Sequence, residues 1–174
     1  MSERVQRLLD LLESHGERMH TLLTRLTLCE STAEDLLQDL FIRLSKSESF
    51  DLARNQSLYA IRAATNLAFE WRRKQQRTIQ SQSLTDEPIA RDMSPGDVLE
   101  HKEEYARVLR ALDGMSELGR QVIVLHRLQG ESYDAIGSQL GKTPHQVRAI
   151  CSKAIGQICD LLDSPSTLCS KKSK

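Results

Sequence analysis

The sequence predicts an all-α protein: two small helical domains joined by a flexible linker, the C-terminal one containing a helix-turn-helix. Three observations carry this. Apolar residues recur at steps of three and four through most of the chain. Neither glycine nor proline occurs between 17 and 87, so nothing there marks turns between strands. The stretch "TIQSQSLTDEPIARDMS", 78–94, then loses all periodicity between two periodic halves. The expected divisions are a helical bundle over 1–78, an acidic linker over 79–94, a helix-turn-helix domain over 95–163 and a basic flexible tail over 164–174.

In chain order, 3–14 reads as a helix with Val5, Leu8, Leu9, Leu11 and Leu12 on a broad apolar face. Gly16 is expected to break or bend it, and 17–28 resumes with Met19, Leu22, Leu23, Leu26 and Leu28. "STAEDLLQDLFIRL" opens with a capping-box match from Ser31 to Glu34. Its apolar positions Leu36, Leu37, Leu40, Phe41 and Leu44 repeat at helical spacing, while Glu34, Asp35, Gln38 and Asp39 form a separate acidic-polar surface. A polar break, "SKSESFDLARN", precedes the longest helix, 55–77. There Leu58, Ile61, Ala64 or Thr65, Ala68 and Trp71 make an apolar line, with Trp71 read as core. Arg62, Asn66, Glu70, Arg73 and Arg77 make a polar line, with Arg72 and Lys74 beside it. A cationic stripe carrying an amide suits a single DNA strand. A solvated face, neutralised by Glu70 against Arg73 or Lys74, explains the same pattern.

In the second half, Ser94-Pro95 has the form of an N-cap followed by a first-turn proline. Helices are expected over 95–113, 117–129, 133–140 and 144–162. Each half can form its own core, though either alone is small enough to be only modestly stable. In "SYDAIGSQLGKTPHQVRAICSKAIGQI", Ser132 reads as an N-cap and Gly141 as a left-handed stop. Thr143 and Pro144 open the next helix. Val147, Cys151, Ala154 and Ile158 make one buried stripe on it. Its other face begins with His145, Gln146 and Arg148 and continues to Ser152 and Lys153. A helix, a tight turn and a second helix with a polar, basic start is the arrangement that places side chains at major-groove edges. An ordinary helical hairpin with a solvated face is the alternative. Ile150 and Ile155 fall outside the main stripe and suit packing on the 117–129 helix or a protein contact.

Net charge is +0, with 24 basic and 24 acidic residues, but its distribution is uneven. Residues 81–104 hold 2 basic and 7 acidic groups, while 1–80 holds 12 and 11 and 105–163 holds 7 and 6. Neither flank is a strong autonomous DNA binder, so a partner is expected to supply much of the electrostatic affinity. The four cysteines form no CxxC pair, and with five scattered histidines they give no metal-ligand pattern. The charged start lacks the apolar stretch of a signal peptide, and no apolar run is long enough to span a bilayer. A cytoplasmic protein without membrane insertion, metal, cofactor or catalytic centre is the expectation.

"AEDLLQDLFIRL" followed by "LYAIRAATNLAFEWRRKQQR" resembles conserved region 2 of the extracytoplasmic-function sigma factors of bacterial RNA polymerase. "LDGMSELGRQVIVLHRLQGESYDAIGSQLGKTPHQVRAICSKAIGQI" is similar to their region 4. The resemblance implies that Asp35, Gln38 and Asp39 meet the clamp of the core polymerase. It implies that Arg54, Asn55, Arg62, Asn66, Arg73, Lys74 and Arg77 meet the melted −10 element. Thr143, His145, Gln146, Arg148, Ser152 and Lys153 would lie over the −35 element. Promoter DNA, core RNA polymerase and an anti-sigma factor are the implied partners. Leu58 stands where many members carry tryptophan, Glu70 where aspartate is common, and Ile150 where the recognition helix usually has a basic residue. A stand-alone helix-turn-helix regulator and a sigma-like adaptor without productive promoter binding are the competing functions.

Overall fold

A computed structural model of the chain describes residues 3–81 and 99–163, and all of their regular structure is helical. The order is α1 (Glu3–Thr27), α2 (Glu30–Ser45), α3 (Glu48–Asp51) and α4 (Gln56–Ser81). Then come α5 (Leu99–Asp113), α6 (Glu117–Ile123), a π-helical turn (Val124–Leu128), α7 (Tyr133–Leu140) and α8 (Pro144–Asp163). The Ser94-Pro95 cap, most of the expected linker and the tail lie outside the described residues.

Three local expectations are corrected. Gly16 does not break α1, which runs unbroken from Glu3 to Thr27. Leu8, Leu11, His15, Met19, Leu22 and Leu26 keep one helical phase through it. All but His15 are buried, so burial on both sides outweighs the roughly 1 kcal/mol that an interior glycine costs. The capping box at Ser31 is not formed, because α2 starts two residues earlier, with Cys29 at the N-cap position and no side-chain cap bond. The corner is held instead by Thr27, whose hydroxyl donates to the Leu23 carbonyl at 2.8 Å, and by Leu28 in the left-handed region at φ 60°. Finally, the polar break contains a turn of helix, α3. Ser47 caps it by accepting from the Phe50 amide at 3.2 Å, and Phe50 is wholly buried.

α4 is the centre of the molecule. Asn55 caps it by accepting from the Leu58 amide at 3.0 Å, and it continues to Ser81, beyond the expected end at 77. Leu58, Ile61, Ala64, Thr65 and Ala68 are buried as the apolar line required, and Trp71 packs partly buried against the core. Ala60, Leu67 and Phe69 are buried as well, so the covered side is wider than one stripe. The reason is that α1 and α2 pack on one flank while α5, α6 and the π turn pack on the other. Buried side chains from Leu8 to Ala154 therefore form one continuous core, and the two halves do not have separate ones.

In the second half, α6 and α7 start at serine caps. Ser116 accepts from the Gly119 amide and Ser132 from the Ala135 amide. The expected 117–129 helix changes to π geometry at Val124, and the Gln129 amide donates back to the Val124 carbonyl at 3.1 Å.

Candidate polymerase and nucleic-acid interfaces

Gly137, Gly141 and Thr143 build the α7–α8 corner. Gly141 ends α7 in the left-handed region at φ 63°. A Cβ on Gly137 would sit 2.6 Å from the Lys142 carbonyl oxygen, so only glycine lets the turn fold back this tightly. Thr143 and Gln146 then cap α8 reciprocally. The Gln146 amide donates to the Thr143 hydroxyl at 3.2 Å, and the Gln146 side-chain oxygen accepts from the Thr143 amide at 3.0 Å. Val147, Cys151 and Ala154 face the core, with Ile158 half-buried beside it. Thr143, His145, Gln146, Arg148, Ser152 and Lys153 are all exposed, a polar face at the start of a 20-residue helix. Ile150 is half-buried against the core. Ile155 lines an apolar groove with Ile123 and Leu128, which accounts for its position off the main stripe.

On α2, Asp35 and Gln38 are exposed while Leu36 and Leu40 point into the core. Asp39 is paired with Arg43 at 2.9 Å, and Arg43 also reaches Glu70 of α4 at 3.4 Å. The hydrogen bond that Arg43 donates to Asp39 is the main reason that its guanidinium holds its proton above its ordinary value. Glu70 therefore leans on α2, not on Arg73 or Lys74 of its own helix. Arg43 is the residue that the sequence pattern left out of this surface; its place four residues after Asp39 was the available signal.

The stripe on α4 is divided. Arg73, Lys74 and Arg77 are exposed, Arg62 is half-buried, and Arg54 is exposed just before the helix. Asn55 is occupied as the α4 cap. Asn66 is occupied at both ends of its amide. Its nitrogen donates to Glu117 at 3.0 Å and its oxygen accepts from Gln121 at 2.9 Å, both on α6. Arg72 grips Asp113 at the end of α5 through two nitrogens, at 2.6 and 3.0 Å, and also donates to the Leu26 carbonyl at 3.1 Å. Their side chains are only 13% and 9% exposed.

The fold also brings His20, Glu30 and Glu34 together, with ligating atoms within 4.8 Å of one another, a grouping that no spacing in the sequence suggested. Both carboxylates are exposed.

Residues 11–78 match sigma-70 region 2 and residues 105–158 match sigma-70 region 4, in that order along one chain. The chain belongs to the extracytoplasmic-function sigma factors of the sigma-70 superfamily. Among related proteins, this sigma factor is 29% identical over 161 residues to the ECF RNA polymerase sigma factor SigE of Mycolicibacterium smegmatis. That match takes in 91% of this chain and 62% of the relative, so the chain spans less than two thirds of that protein. It is 26% identical over 155 residues to the ECF RNA polymerase sigma factor SigX of Bacillus subtilis, covering 85% of this chain and 78% of the relative. Two solved structures share its fold at 22% identity. One is the sigma factor RpoE in complex with the anti-sigma factor NepR from Bartonella quintana, with a TM-score of 0.53 over 95% of this chain and 100% of that one. The other is CnrH in complex with the cytosolic domain of CnrY, at 0.56 over 95% and 93%. A sigma factor is not an enzyme. No helix among the described residues is long and apolar enough to cross a membrane.

Proposed function

We propose that this sigma factor binds a bacterial core RNA polymerase and directs it to promoters. The observation that carries the reading is the pair of matches, region 2 over 11–78 and region 4 over 105–158, on one chain. A stand-alone regulator has no use for region 2. In this reading Asp35, Gln38 and Asp39 form the clamp-facing surface, two of them exposed and the third tied to Arg43. Arg54, Asn55, Arg62, Asn66, Arg73, Lys74 and Arg77 serve the −10 element, where cations track the backbone and the Asn66 amide is a base reader. Thr143, His145, Gln146, Arg148, Ser152 and Lys153 serve the −35 element, with Arg148 and Lys153 supplying the charge. Gln146 accepts the Thr143 amide through its side-chain oxygen in the α8 cap, and its amide nitrogen is the donor it offers to DNA. An anti-sigma factor is a further partner, in line with the NepR complex of the RpoE relative of like fold. Reconstitution with core polymerase and genomic DNA, followed by mapping of transcript starts, tests the function. Starts that share upstream elements and depend on this chain are expected. Core binding without any dependent transcript would leave an adaptor.

A further inference from the structure

One corner of region 2 gathers donor atoms that neither polymerase nor promoter binding calls for. α1 and α2 meet at Leu28, and the reversal there lays the last turns of α1 beside the first turns of α2. His20 of α1 therefore stands against Glu30 and Glu34, which lie one helical turn apart on α2. One imidazole nitrogen and two carboxylate oxygens come within 4.8 Å of one another. Two ionised carboxylates at this spacing repel, and a lysine or arginine between them is the ordinary remedy. Here there is none. Among the described residues no ion pair and no side-chain hydrogen bond engages His20, Glu30 or Glu34.

We propose that His20, Glu30 and Glu34 form a binding site for a divalent transition-metal ion of the zinc, cobalt and nickel class. The donor set decides the class. Calcium and magnesium take shells built of oxygen, whereas an imidazole nitrogen favours the later first-row ions. Bonds of about 2.0–2.2 Å to nitrogen and carboxylate oxygen put the donors of a tetrahedral shell roughly 3.4 Å apart. Small rotations of the two exposed glutamates therefore bring all three donors onto one ion, with half-buried His20 as the fixed point. Water completes the shell. Glu30 stands in the first turn of α2, where the helix dipole favours the ionised carboxylate that metal binding needs. Bound there, the ion acts as a staple. It ties to α1 the start of a helix whose N-cap residue, Cys29, makes no side-chain cap bond. The unfolded chain does not hold residues 20, 30 and 34 in one place, so the ion binds the folded form and stabilises it.

The test is titration of the full chain with cobalt(II) chloride, followed by visible absorption, with the cysteines kept reduced. One equivalent of cobalt is expected to give saturating ligand-field bands, and zinc is expected to displace it. His20→Gln and Glu34→Gln should each weaken cobalt binding roughly tenfold or more, since each removes one of three protein ligands. Glu103→Gln, at an exposed site on α5, should leave it unchanged. Zinc at about a hundredfold excess over its Kd should raise the melting temperature of the unaltered chain by about 5 °C and that of His20→Gln not at all. Circular dichroism checks that the variants keep their helices. If His20→Gln loses helicity, Glu34→Gln carries the test, because its side chain is exposed. No saturation below about 1 mM overturns the site. So does undiminished affinity in Glu34→Gln, or a thiolate charge-transfer band that marks a cysteine as ligand. Calcium or magnesium binding as tightly as cobalt would overturn it too, reducing the three residues to an ordinary acidic patch.

Discussion

Val147 and Arg148 are neighbours in the chain and opposites in the fold, one wholly buried and the other exposed on the α8 face. Val147→Asp places a charge with no partner in the core and should cost roughly 3 kcal/mol or more, enough to lower the melting temperature of the full chain visibly. Arg148→Ala should leave the melt unchanged and weaken binding to −35 duplex DNA. Circular dichroism melts and duplex titrations of both variants decide this, and a harmless Val147→Asp would reverse the helix. Cys29 presents a different kind of residue-scale effect. A hydrogen bond from the Ser31 hydroxyl, then one from Thr32, holds its thiol below the usual value. Its alkylation by iodoacetamide should therefore rise at a lower pH than that of an ordinary thiol, followed by mass spectrometry. Ser31→Ala should move that midpoint upward. Periodicity placed Val147 correctly because burial on one helix follows from spacing alone. It had no means of seeing that Asn66 and Arg72 meet partners 41 to 55 residues away.

At the scale of an element, the proposed function gives α2 and α4 different tasks within region 2. Replacing Asp35, Gln38 and Asp39 of α2 together with Ala should weaken core polymerase binding and leave helicity intact, since the apolar Leu36–Leu40 side is untouched. Fluorescence titration against labelled core checks it, and equal affinity would reject the surface. Exchanging Arg62 and Arg73 of α4 for Gln should reduce promoter opening by permanganate footprinting. It should also flatten the salt dependence by about 0.7 in log–log slope for each phosphate that is no longer neutralised. Core binding should persist. Sequence spacing located both helices because each has a strong amphipathic phase. It placed the start of α4 correctly at Asn55, misplaced that of α2 at Ser31 and missed the separate turn α3 capped by Ser47, because a cap depends on which side chain reaches which amide. Thr27 from the preceding helix held the corner before α2.

For the whole molecule, one continuous core means that the halves should melt together. Calorimetry and far-UV circular dichroism should give a single coincident transition, whereas two resolved transitions would mean that the halves are energetically separate. Fold class and the order of the helices were legible because they follow from periodicity and from the glycine-free first half. The joining of the halves was not, since Phe69 and Arg120 look like an ordinary apolar residue and an ordinary surface cation until each supplies the other's partner. The π turn at Val124–Leu128 adds a consequence at this scale. It is a helix carrying one residue more than its hydrogen-bond ladder needs, and each residue turns a helix by about 100°. That surplus residue acts as a phase shifter, re-aiming the chain so that Gln129 and Glu131 arrive in front of Arg18. Deleting the exposed Arg127 should let an ordinary α-helical ladder close, with region 4 still folded but pointing those acceptors elsewhere. By scattering, such a chain would be expanded, because Arg18 would lose those acceptors. A one-residue insertion or deletion at this turn would then be enough to set the angle at which the chain leaves α6 for α7.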